Sequence, residues 1–123
     1  MDDIPITILK QRLRNRIIES LDGFADQETV LVLGTDEIIE IWYDYMEDDR
    51  LEFFDQPVFS VEEVNAIKRF HNLLESSYQK VPSTWRLEEL EECREWSALV
   101  ALAREGIGVF QKRGFLDEER EIT

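Results

Sequence analysis

Apolar residues recur at helical spacing through most of the chain. Leu9, Leu13, Ile17 and Leu21 stand at i, i+4, i+8 and i+12, one stripe of an amphipathic helix. Pro5 suits a first helical position and Gly23 a stop, so the spacing predicts a helix over 5–22. Its bases, Lys10, Arg12, Arg14 and Arg16, spread around the other faces and read as a solvated surface. Thr29 to Leu33 (Thr-Val-Leu-Val-Leu) is closed by Gly34. A run this short fits a strand or a buried helical turn equally, which leaves one small β element open near 29–33.

Residues 36–47 divide cleanly at 100° per residue. Ile38, Ile39, Trp42, Tyr45 and Met46 fall on one side, and Glu37, Glu40, Asp44, Glu47 and Asp48 on the other. Thr35 is a suitable N-cap. A strand would place Ile39, Ile41, Tyr43 and Tyr45 together but leave its other face mixed, so the helix is preferred. Residues 48–59 contain Pro57 and read as a loop whose Phe53, Phe54, Val58 and Phe59 fold back onto the core. Ser60-Val61-Glu62-Glu63 is a capping box with Phe59 and Val64 at the staple positions. Val64, Ile67, Phe70, Leu74 and Tyr78 carry the next stripe as far as Pro82. A last helical pattern starts at Ser83 or Thr84 and runs from Leu87 to Phe110, with Gly114 just beyond it. Unbroken, it would be ~40 Å long, more than the ~35 Å breadth of a compact chain this size. A break is therefore expected near Glu92-Cys93 or at Gly106. The fold class is all-α: a single domain over 1–123 with four to five helices, and residues 117–123 polar and frayed.

Composition supports a folded chain. Hydrophobic residues make up 43% and aromatics 11% of 123 residues, enough apolar surface for one core. Charge changes the picture more. Twenty-eight acids against 14 bases give a net charge of −14, which repels phosphate backbones and anionic lipid; no direct nucleic acid and no membrane are expected as partners. Residues 19–63 hold fifteen acids and a single base, Arg50, so the excess lies in the central third. One cysteine excludes an internal disulfide. The N-terminus lacks a basic and apolar leader, and the longest wholly apolar run, Ala98 to Ala103, is far short of the ~20 residues of a membrane span. A cytoplasmic protein is the expectation.

Little in the chain points to catalysis. Cys93 and His71 form a nucleophile–base pair only if the fold brings them together; His71 otherwise reads as a helix-flank residue and Cys93 as a small buried hydrophobe. One His and one Cys supply no zinc tetrad without carboxylates. Asp44 to Asp49 lacks the glycine of an EF-hand loop, and Gly106-Ile107-Gly108 lies inside an apolar helical pattern rather than in a phosphate loop. No enzyme activity, cofactor or metal is expected. What remains is the acidic helix face. Glu37/Glu40, Glu40/Asp44 and Asp44/Glu47 are like-charge neighbours at i, i+3 or i+4, each costing a few tenths of a kcal/mol. Such a face reads either as a solubilising surface, neutralised by the basic first helix, or as a docking site for a cationic partner. The second reading places Glu37, Glu40, Tyr43, Asp44, Glu47 and Asp48 in the site.

The Glu37–Asp49 stretch, the capped helix opening at Ser60-Val61-Glu62-Glu63 and the Trp96 to Ala103 helix give the chain a general resemblance to small acidic bacterial immunity proteins and to uncharacterised proteins of that style. The resemblance implies stoichiometric occlusion of a basic protein partner, such as a toxin nuclease, by carboxylates standing in for phosphates. The competing expectations are a structural subunit or adaptor that self-associates through the C-terminal helix, as monomer or homodimer, and an enzyme built around His71.

Overall fold

The computed structural model describes residues 4–46 and 54–122. It is all-α, with no strand among the described residues. Helices α1 (Ile6–Ala25), α2 (Gln27–Tyr45), α3 (Val61–Ser77), a short α4 (Leu87–Leu90) and α5 (Arg94–Gln111) follow in order, with a 3-10 turn at Tyr78–Lys80. Helix α1 packs against α2 and α5, and α5 against α3. Aromatic residues from four helices meet at the centre. Phe24 of α1 lies edge-on to Phe70 of α3 at 4.8 Å and 5.6 Å from Trp96 of α5; Trp42 of α2 lies edge-on to Phe70 at 4.7 Å. All four are buried, so the chain's largest apolar surfaces bind the helices together.

Several boundaries depart from the spacing rules. Helix α1 does not stop at Gly23 but continues to Ala25, because Phe24 is fully buried and its packing outweighs the low helix propensity of glycine. Asp26 then caps α2, accepting from the Glu28 amide at 3.1 Å and the Thr29 hydroxyl at 2.9 Å. Residues 29–33 are helical, not β: Val30 is buried while Leu31, Val32 and Leu33 are exposed, a helical rather than an alternating pattern. Gly34 interrupts α2 at φ 80°, ψ 162°, a combination open essentially to glycine alone. Thr35, expected as an N-cap, does something else. It is fully buried and ties the break to the segment before α4. Its hydroxyl donates to the Pro82 carbonyl at 2.6 Å and accepts from the Thr84 amide at 3.0 Å, while its own amide donates to the Thr84 carbonyl at 2.9 Å.

The capping box forms as its residues dictate: the Glu63 amide donates to Ser60 Oγ at 3.2 Å and the Ser60 amide to Glu63 Oε1 at 3.1 Å. Phe54, Val58 and Phe59 turn inward as expected; Phe53 lies outside the described residues. The long C-terminal pattern breaks at residues 91–93, with Cys93 the residue before α5. At Gly106 the helix runs straight on, and a Cβ there would lie 3.2 Å from Leu21 Cδ1, so this glycine lets α1 and α5 approach.

Two features of α1 reverse expectations. Arg14 is not solvated but fully buried, its guanidinium 5.0 Å from the centre of the Phe110 ring. The C-terminal segment is not frayed at residues 117–122. After Gly114, at φ 74°, the chain returns along α1. Gln11 Nε2 donates to the Asp117 and Arg120 carbonyls at 2.6 and 2.8 Å, Arg12 Nε to the Glu118 carbonyl at 2.9 Å, and Asn15 Nδ2 to the Leu116 carbonyl at 2.8 Å. The Ile122 amide donates back to Gln11 Oε1 at 2.9 Å. Gln11 and Asn15 are buried under this strap, which satisfies them.

Candidate functional site

The second half of α2 places Ile38 and Trp42 in the core and turns Glu37, Glu40 and Asp44 to solvent. Of the sequence-derived site, these three share an exposed face; Glu47 and Asp48 lie outside the described residues. Among the described residues no Lys, Arg or His forms a salt bridge with Glu37, Glu40 or Asp44. The adjacent Asp36 accepts from the Ser83 hydroxyl.

Although α1 packs on α2, none of its bases pairs with Glu37, Glu40 or Asp44 among the described residues. Lys10 pairs with Asp55 at 2.7 Å, Arg12 holds the C-terminal strap, and Arg16 pairs with Glu19 and Glu118. Arg14 is bound to Glu63, Nε to Oε1 at 3.1 Å and Nη2 to Oε2 at 2.9 Å. Arg113 meets the same carboxylate from α5's C-terminal end, at 2.6 and 3.1 Å. Burial alone would raise the pKa of Glu63; hydrogen bonds from Arg14, Arg113 and the Ser60 amide outweigh it and hold the pKa at about 2. Among the described residues, the α1 cations thus pair with groups other than Glu37, Glu40 and Asp44.

Tyr43 departs from its expected place beside the carboxylates. It is half-buried and turned toward α3, edge-on to His71 at 5.7 Å and to Tyr78 at 6.1 Å, and its hydroxyl has no hydrogen-bond partner among the described residues. Burial, then the Glu75 carboxylate and Tyr78, push its pKa up to about 12. His71 is held in the same group: its Nδ1 accepts from Trp42 Nε1 at 3.1 Å and its Nε2 lies 3.2 Å from Glu75. Cys93 sits near Lys80 and Glu95 at the α4–α5 break, so His71 and Cys93 are engaged with different neighbours. No group of three or more His, Cys, Asp or Glu among the described residues is arranged to hold a metal ion. No described helix is long and apolar enough to cross a membrane.

Large exposed apolar side chains are absent from the described part of α5. They cluster instead at the start of α1, at Leu31–Leu33, and at Val61, Tyr78, Trp85 and Phe115. The group around Gly34, Leu31 and Val32 with Trp85, is not legible from the spacing of residues. Its signals were present in Gly34 and in the Pro82–Trp85 segment, but spacing alone gives no sign that the two segments meet. Comparison of the chain with protein-family models, with curated proteins and with solved structures finds no match.

Proposed function

We propose that this chain is a non-catalytic acidic binding protein that occludes a basic protein partner, in the manner of an immunity or inhibitor protein. The observation that carries the reading is the solvent-facing row Glu37, Glu40 and Asp44, without a salt-bridge partner among the described residues, while Arg14 and Arg113 converge on one buried carboxylate. Like charges at i, i+3 and i+4 cost the free protein helix stability, and a partner's Lys and Arg side chains relieve that repulsion on docking. Complementary fields raise the association rate and select against acidic competitors. The partner's site for anionic substrate would be covered by carboxylates and no bond broken.

The test is capture at low salt from a lysate of the organism that encodes the chain, with wild type and Glu40→Lys/Asp44→Lys compared. The expected result is a basic protein held in stoichiometric amount by wild type, released by salt, lost by the variant, and inhibited when the purified pair is recombined. Equal capture by both proteins, or no basic protein captured by wild type, overturns the reading.

A further inference from the structure

We infer that the acidic face has an apolar anchor site beside it, formed by Leu31, Val32 and Trp85 around Gly34, that takes an apolar side chain of a basic partner segment. The inference rests on the acidic-face reading and adds to it the chemistry of the partner: an amphipathic segment with Lys or Arg flanking an apolar residue.

Leu31 is 53% exposed, Val32 75% and Trp85 56%, while Leu33 turns toward α1 and lines a groove with Arg16, Glu19 and Tyr45. A single exposed apolar residue needs no explanation, but an adjacent pair with an indole beside it is the composition of a contact surface. The indole is also held in place. A Cβ on Gly34 would lie 2.8 Å from Trp85 Cε2, so the ring rests on bare backbone that only glycine supplies. The preceding residues are fixed by the Thr35 bonds to Pro82 and Thr84 and by Ser83 on Asp36. Tryptophan held this way loses little conformational freedom on binding, and it is a frequent interface anchor.

Charge selects the occupant. Leu31 and Val32 are followed along α2 by Asp36, Glu37, Glu40 and Asp44, and preceded by Glu28. Arg86, the cation next to Trp85, is turned toward Glu88 and Glu89. A second copy of this chain would bring its own carboxylates against these across a two-fold axis, with a net charge of −14 on each protomer. A basic amphipathic segment has the opposite sign at every one of these positions.

The probes are three synthetic peptides of equal length and charge: an amphipathic Leu/Lys helix, its scrambled isomer, and a Lys/Ser peptide. Affinity is read by calorimetry at low salt, and contact by the Trp85 indole N–H resonance; the other two tryptophans, Trp42 and Trp96, are buried. The amphipathic helix is expected to bind about tenfold more tightly than the other two and to shift the Trp85 resonance. Val32→Glu and Trp85→Ala are expected to abolish that tenfold, whereas Glu40→Lys/Asp44→Lys weakens all three peptides. Val32 is the most exposed of the group, so its variant serves even where Trp85→Ala disturbs the fold. Equal binding of all three peptides, unchanged by Val32→Glu, overturns the anchor site and leaves the acidic face standing. Loss on Val32→Glu with no effect of Glu40→Lys/Asp44→Lys overturns the acidic face instead. A dimer in sedimentation that Val32→Glu dissociates makes the patch a self-contact and likewise overturns the anchor.

Discussion

Glu63 and the Glu37, Glu40, Asp44 row place the same functional group in opposite circumstances. Glu63 is 1% exposed, sits at the N-terminal end of α3 where the helix dipole favours an anion, and receives two guanidinium groups and a backbone amide. The α2 carboxylates are solvated and form no salt bridge among the described residues. The contrast separates two uses of charge. Where a carboxylate joins helices, the fold surrounds it with donors, because a buried ion left unpaired is intolerable. Where the fold gains nothing from an acid, the acid stays unpaired and repels its neighbours. Among the described residues two arginines go to Glu63 and none to Glu37, Glu40 or Asp44, so the bases are distributed by architecture, not by proximity along the sequence.

The sharpest way to break this comparison is to remove the buried charge. Glu63→Gln keeps the shape but leaves Arg14 enclosed without its counter-ion, and a cost of about 3–5 kcal/mol in urea unfolding is expected. A loss below about 1 kcal/mol would mean the site is wet and ordinary. Acid titration gives a related effect of similar size. The pKa of Glu63 is about 2 in the folded protein against an ordinary value near 4.3. With the folded value depressed, the contribution is complete above the ordinary value and is lost as pH falls from about 5 to 2, on the order of 3 kcal/mol. The stability gap between wild type and Glu63→Gln should close over that interval; a gap constant down to pH 2 would exclude Glu63 as the titrating group.

The break in α2 is expected to be the next most sensitive point. Gly34→Ala forces an L residue into a glycine-only conformation, costing about 1–3 kcal/mol, and drives a methyl into the Trp85 indole. Thermal melting measures the sum. A double-mutant cycle with Trp85→Ala divides it, because removing the indole abolishes the steric part and leaves the backbone part. Full rescue by Trp85→Ala would show that φ at this position is not restrained.

Much of this architecture was legible in the sequence, and what was missed shares one cause. The Ser60–Glu63 box, the stripe of Ile67, Phe70 and Leu74, and the break before Arg94 are local signals, written within a turn or two of chain. Exposure of Glu37, Glu40 and Asp44 followed from the wheel for the same reason. Arg14 misled because periodicity registers a polar position without registering a partner 49 residues away at Glu63. Gln11 and Asn15 become buried only through a strap 101 to 111 residues further on, so residues 117–122 read as frayed from their polarity alone. Thr35 was assigned to its nearest helix end, whereas its hydroxyl is used by Pro82 and Thr84. Tyr43 was grouped with Asp44 by adjacency, though consecutive helical residues point about 100° apart.

The smallest expected effect bears most directly on function. Glu40→Gln/Asp44→Asn removes an i, i+4 repulsion and breaks no side-chain hydrogen bond or salt bridge among the described residues, so the protein should become more stable, by a few tenths of a kcal/mol at low salt. Screening should erase that gain: the Debye length falls to ~3 Å at 1 M salt, and the two melting curves should then coincide. A stabilisation that salt erases identifies the repulsion as electrostatic, and with it a face that lowers the stability of the free helix and is relieved when opposite charge arrives. A loss of stability instead would mean that Glu40 or Asp44 serves the fold, and the division drawn between Glu63 and the α2 row would fail at its exposed end.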